Sequence, residues 1–74
     1  MAESRMEILR INGVEKQFPD GLPRTLTELL KELNINAATV VAEIDGEIIV
    51  KGDFAKTLLS SDQNIELIRF VGGG

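Results

Sequence analysis

Ile65-Glu66-Leu67-Ile68-Arg69-Phe70-Val71-Gly72-Gly73-Gly74 is the closing stretch of the chain. The residues before the glycines read as a strand, whose side chains point alternately to opposite faces. Ile65 and Leu67 share one face. Glu66, Ile68 and Phe70 share the other. Arg69 has the parity of Leu67 but sits near the strand end, where it can leave the core. If Leu67 faces a helix, Ile68 and Phe70 face solvent, and adjacent exposed apolar residues on a small domain mark a partner site. The opposite parity would bury them; we take the first. The glycines stabilise nothing. They are a frayed end, a cloning remnant, or a slim tail that carries the terminal carboxylate.

The rest of the chain supplies partners for this strand. Glu7 to Ile11 fits a strand, and Asn12-Gly13 is a type I′ hairpin signal. A two-residue turn sets Ile11 opposite Val14, Leu9 opposite Lys16 and Glu7 opposite Phe18. Opposed residues share a face, which puts Leu9, Ile11, Val14 and Phe18 on the core side. Met6, Ile8, Arg10, Glu15 and Gln17 fall on the other. Pro19-Asp20-Gly21-Leu22-Pro23 breaks the pattern. Thr25-Leu26-Thr27-Glu28 is a capping box, in which the Thr25 hydroxyl accepts from the Glu28 N–H and the Glu28 carboxylate reaches back to the Thr25 N–H. Leu26, Leu29, Leu30 and Leu33 form one apolar helical stripe, and Asn34 suits the left-handed residue past the helix end.

Val40 to Ile44 reads as a strand, Asp45-Gly46 as a turn and Glu47 to Val50 as a short strand. Phe54, Leu58 and Leu59 anchor a short helical or irregular segment, with Asp53 as a cap. Ser61-Asp62-Gln63-Asn64 is turn-like. The expected fold class is therefore α+β: a mixed four- to five-stranded sheet with one main helix packed on one face. No second helix is available to cover the other face. With 74 residues the expectation is one domain, 1–74, in which 72–74 is a flexible C-terminal glycine tail.

Composition removes whole classes of function. The chain has no cysteine and no histidine, hence no disulfide, no soft metal ligand and no side-chain nucleophile with a base beside it. We expect no metal site. The net charge is −4 and the three phenylalanines are the only aromatic residues. Phosphate binding needs an excess of Lys and Arg, so nucleic acid is not an expected partner; a basic protein surface is. No apolar run reaches the ~20 residues of a membrane span, the start has no apolar signal segment, and the expected location is cytoplasmic.

What remains is the α-carboxylate of Gly74. Ser60-Ser61 has no base, the turn residues Asp53 and Asp62 have ordinary backbone roles, and the glycines lack the strand-to-helix context of a phosphate loop. A carboxylate is a poor electrophile unless it is adenylated. A tail that threads into an adenylation site must be slim and extended, and three glycines reach ~10 Å.

In order and spacing, the strand ending in Asn12-Gly13, the Thr25-to-Leu30 helix start, the Val41-to-Glu47 hairpin and the Val-Gly-Gly-Gly ending resemble the thiamine-biosynthesis sulfur carriers, the ThiS family. The chain departs from that pattern in its longer N-terminus, in the absence of Pro-Arg and Trp around Lys51-Gly52-Asp53-Phe54, and in Ser61-Asp62-Gln63 where Asp-Gly-Asp is usual. The resemblance implies a ubiquitin-like β-grasp fold and a carrier rather than an enzyme. It implies that an E1-like adenylating enzyme, using ATP and Mg²⁺ that this chain does not itself bind, activates Gly74. A cysteine desulfurase relay then supplies sulfur, and a thiazole synthase consumes the thiocarboxylate. Gly72 and Gly73 become the threading tail, and Ile68, Phe70 and Val71 the docking patch, with Ile8 beside them if the first and last strands pair. A molybdopterin-synthase small-subunit type of carrier, a ubiquitin-like modifier and a plain interaction domain are the alternative readings.

Overall fold

A computed structural model describes residues 6–70 of the chain. The expected roles of Val71, Gly72, Gly73 and Gly74 therefore lie outside the described residues. Five strands form one sheet: β1 (Glu7–Ile11), β2 (Val14–Phe18), β3 (Val40–Ile44), β4 (Glu47–Ile49) and β5 (Asn64–Arg69), in the order β2-β1-β5-β3-β4. The helix α1 (Leu26–Glu32) carries the chain from the first hairpin to the second. β1 and β5 run parallel, whereas β3 is antiparallel to both β4 and β5. The last strand thus lies at the centre of the sheet. This is the β-grasp arrangement, a mixed sheet with one main helix.

Both hairpins turn on two residues in the left-handed region: Asn12 and Gly13 at φ 52° and 82°, Asp45 and Gly46 at 51° and 87°. That geometry matches the twist of the flanking strands. The first hairpin has the expected register, Ile11 opposite Val14 and Glu7 opposite Phe18. Leu9 and Phe18 are buried and Ile11 packs against the core, but Val14 is 68% exposed. Its parity is that of the core face; its position beside the turn, on an edge strand, puts it beyond the packed residues.

The helix starts and stops as its sequence dictates. The Thr25 hydroxyl accepts from the Glu28 N–H at 3.3 Å. The Glu28 carboxylate departs from the capping box and accepts from the Arg24 N–H at 3.2 Å. Beside this cap Thr25 forms a β-bridge with Leu58, in which the Leu26 N–H donates to the Thr57 carbonyl at 3.0 Å and the Leu59 N–H to that of Arg24 at 3.1 Å. At the far end Asn34 has φ 60°. The Ile35 N–H reaches back to the Leu30 carbonyl at 2.9 Å and the Asn34 N–H to that of Lys31 at 3.1 Å, the pair of bonds of a Schellman stop.

Leu26, Leu29 and Leu30 of α1 pack against Leu9, Val40, Ala42, Ile44, Ile65 and Leu67 from the sheet. Phe54 closes the core from a 3₁₀ segment, Lys51–Lys56. Asp53 is not its cap: Val50 holds the cap position and makes no side-chain bond. Asp53 lies inside the first turn, and its carbonyl accepts from the Thr57 hydroxyl at 2.7 Å.

Side chains from the two hairpin turns hold β5 in place. β1 gives β5 its main-chain bonds from Arg10 N–H to the Gln63 carbonyl (3.0 Å) and from Asn12 N–H to that of Ile65 (2.8 Å). The chain then turns away, and the Asn12 carboxamide supplies the next rung. Its Oδ1 accepts from the Leu67 N–H at 2.8 Å and its Nδ2 donates to the Leu67 carbonyl at 3.2 Å. At the other turn, Asp45 Oδ1 accepts from the Asn64 N–H at 2.9 Å, while the Asp45 N–H donates to the Asn64 carbonyl at 2.8 Å.

The register of β5 is testable by paired truncations. Leu67, 5% exposed, points into the core, and Ile68, 53% exposed, points out. Leu67→Ala should cost about 2–5 kcal/mol in urea unfolding, the range for a buried large-to-small change. Ile68→Ala should stay within about 0.5 kcal/mol, as for an exposed position. Equal losses would reverse the assignment of faces.

Candidate functional site

The open face of the sheet follows from alternation. Val40, Ala42 and Ile44 of β3 point inward, which turns Val41 and Glu43 outward. Ile65 and Leu67 of β5 point inward, which turns Glu66 and Ile68 outward. On β4, Ile49 packs against the core and Ile48 is exposed. Val50 and Phe70 continue the outward parity past the strand ends, and both are exposed. α1 covers the other face, so Val41, Ile48, Val50, Ile68 and Phe70 are left as an apolar patch.

Pairing brings these residues together. Val41 lies directly opposite Ile68, and Ile48 opposite Glu43. Phe70 is 48% exposed and is held by its N–H, which donates to the Thr39 carbonyl at 3.0 Å. A groove of about 330 Å³ opens here, lined by Val41, Ile48, Val50, Phe54 and Phe70 among others. It lies at the end of the sheet from which residues 71–74 continue.

The electrostatics of the patch are one-sided. Glu43 and Glu66 face each other across β3 and β5 on the open face. Directly opposed like charges disfavour a sheet by about 0.2–1 kcal/mol. Among the described residues no cation pairs with either carboxylate. A partner that brings Lys or Arg to this border relieves the repulsion, which agrees with the net charge of −4.

The structure brings Ile68 and Phe70 into one surface, as expected, but not Ile8. β1 and β5 do pair, and Leu9 points inward, so Ile8 is on the open face. The parallel register sends it to the wrong end: the Ile8 carbonyl accepts from the Asp62 N–H at 2.7 Å. Asp62 and Ile68 are six positions apart, roughly 20 Å at strand spacing. Val41, Ile48 and Val50 are members of the patch that sequence reasoning missed. Their signal was present in Val40-Val41 and Ile48-Ile49, adjacent apolar residues on strands that bury one side chain of each pair.

The described residues offer little else for chemistry. No group of three or more His, Cys, Asp or Glu among them is placed to hold a metal ion. The Ser61 hydroxyl is engaged with the main chain of Ile8. Asp53 pairs with Lys56 at 3.8 Å in the open, and Asp62 holds a turn at φ 72°. No helix among the described residues is long and apolar enough to cross a membrane.

Known proteins share both the sequence pattern and the architecture. The model of the ThiS family matches residues 6–74. A thiazole synthase from Paramagnetospirillum magneticum is 33% identical over 66 residues, covering 89% of this chain and 20% of that protein. The chain therefore spans about a fifth of the length of that curated relative. The crystal structure of the thiamine biosynthesis protein (ThiS) from Geobacter metallireducens is similar with a TM-score of 0.78 at 29% identity, over 90% of this chain and 99% of that one. The solution structure of a thiamine biosynthesis protein from the same organism gives 0.72 at 32% identity, over 90% and 87%.

The exposure of Phe70 sets a stability test of the patch. Phe70→Asp removes an apolar anchor without emptying the core, so the melting temperature should move by no more than a few °C. A fall of about 10 °C or more would mean that the Phe70 ring is part of the packing.

Proposed function

The chain belongs to the ThiS family, and from that premise we propose that it is a sulfur carrier for thiamine synthesis, working in the cytoplasm as a co-substrate of other enzymes. The C-terminal carboxylate of Gly74 is the group that changes. An E1-like adenylating enzyme transfers AMP from Mg²⁺-bound ATP to that carboxylate and releases pyrophosphate. The outer sulfur of a persulfide from a cysteine desulfurase relay then attacks the acyl carbon and displaces AMP, giving an acyl disulfide, and a thiol cleaves that disulfide to release the thiocarboxylate while forming a disulfide with the relay sulfur. A thiazole synthase takes the sulfur from it.

The observation that carries this reading is the juxtaposition at the end of β5. One strand presents an apolar, acid-bordered patch through Ile68 and Phe70. The same strand leads in sequence into Val71-Gly72-Gly73-Gly74. A partner that docks on the patch has the glycines directed to it by the strand itself. Gly72 and Gly73 offer no side chain to obstruct a narrow channel, and Val71 extends the docking surface. The similarity to a thiazole synthase supports a place for this chain beside thiazole formation.

The division of labour follows from physical chemistry. The carrier contributes a rigid address and an activatable end. Nucleotide binding, charge neutralisation and sulfur delivery belong to the partners, and a chain without Cys or His has no thiol to compete for the activated acyl group.

Incubation with ATP, Mg²⁺, an adenylating enzyme of active preparation and sulfide should raise the intact mass by about 16 Da, one oxygen exchanged for sulfur at the activated acyl carbon. Phe70→Asp should slow the conversion at least tenfold, as for loss of a buried interface anchor. An unchanged mass with an enzyme proven on another carrier would refute the proposal.

A further inference from the structure

β5 is paired unequally along its two edges. On the β3 side the ladder runs through Val40 opposite Arg69, and the Phe70 N–H continues it to Thr39. On the β1 side the main-chain pairing covers only Arg10 with Asn64 and Ile11 with Ile65. Among the described residues from Leu67 to Phe70, that edge has one polar contact from β1 or its turn, the Asn12 carboxamide. It satisfies both the N–H and the carbonyl of Leu67, as a neighbouring strand would, and it does so from part-buried positions 55 residues apart in sequence.

We propose that Asn12 is a positioning residue for the reaction at Gly74, acting through the end of β5. This rests on the carrier reading above. The polar partners of the Asn12 carboxamide are the main-chain groups of Leu67, so it acts through the backbone and not through a side chain of the patch. Its carboxamide locks Leu67, the residue immediately before Ile68, and so fixes both the face on which Ile68 and Phe70 are displayed and the direction in which the chain leaves the sheet. Without it, the segment after Ile65 keeps bonds on the β3 side alone. A strand held on one edge frays and twists more freely than one held on both. The partner then meets a tail whose starting direction varies, and misplacement of a reacting group by about 1 Å costs up to roughly 10²-fold in rate.

Asp45 provides the matched control. It too sits at a left-handed turn position, φ 51° against 52° for Asn12, and its carboxylate bonds the main chain of β5. That bond is to Asn64, at the strand's beginning. Glycine adopts positive φ without penalty, so Asn12→Gly and Asp45→Gly each remove a side-chain clamp and leave the turn geometry free to persist.

The test compares wild type, Asn12→Gly and Asp45→Gly in the full chain, by amide hydrogen exchange and by the rate of pyrophosphate release with ATP and the adenylating enzyme. In Asn12→Gly, exchange at Leu67 and Phe70 should quicken by about tenfold or more beyond the global change, and kcat/KM for the carrier should fall by about tenfold or more. In Asp45→Gly, the Asn64 amide should lose protection while kcat/KM stays within about twofold of wild type. If Asn12→Gly does not fold, Asn12→Asp replaces it. That variant keeps an acceptor for the Leu67 N–H but sets a carboxylate against the Leu67 carbonyl, and kcat/KM should fall by a smaller factor. Wild-type kcat/KM in the Asn12 variants, or equal losses in the Asn12 and Asp45 variants, would overturn the positioning role. A wild-type chain that a proven enzyme does not adenylate would overturn the carrier reading instead, and the exchange data would still decide whether Asn12 holds the strand end.

Discussion

The carboxamide of Asn12, bonded to both main-chain groups of Leu67, is the contact on which the use of this fold depends. β1 is too short to accompany β5 to its end, because the hairpin turns back at Asn12-Gly13. One side chain makes up the missing rung. Asp45 does the equivalent at the beginning of β5 from the opposite turn. The central strand, last in sequence, is thus held by two turns that closed long before it. A slip of one residue in β5 would send Leu67 to solvent and Ile68 inward, so the Asn12 bonds and the core decide together which way Ile68 faces.

Among the described residues one α-helix packs on a sheet that has two faces. α1 and Phe54 cover one side and complete the core. Leaving Ile68 and Phe70 about half exposed forgoes roughly half of the ~1.5–3 kcal/mol that full burial contributes for each. The opposed Glu43 and Glu66 add repulsion on the same face. Both penalties fall where a docking partner would remove them, by covering the apolar residues and by bringing cations to the carboxylates. A fold optimised only for its own stability has no reason to place apolar side chains and like charges together there.

Much of this was legible in the residues because the relevant signals are local. Asn12-Gly13 and Asp45-Gly46 demand positive φ and so set both hairpin registers. The Thr25 cap and the leucine stripe locate the helix, and alternation in β5 gives its two faces. The misreadings share a tertiary cause. Val14 has the right parity but sits past the edge of the core. Ile8 faces the open side, yet a parallel pairing to β5 carries it away from the patch. The second role of Asn12 was invisible for the same reason: its partner, Leu67, is fixed by topology and by no spacing in the sequence.

On the proposed carrier role, the open face around Phe70 is where the adenylating enzyme docks. Titration of the ¹⁵N-labelled full chain with that enzyme, followed by amide chemical shifts, tests it most directly. Shifts and broadening should centre on Val41, Ile48, Ile68, Phe70 and residues 71–74, with α1 unaffected. Perturbations centred on α1 or on the Leu58 surface, with the open face unchanged, would contradict it.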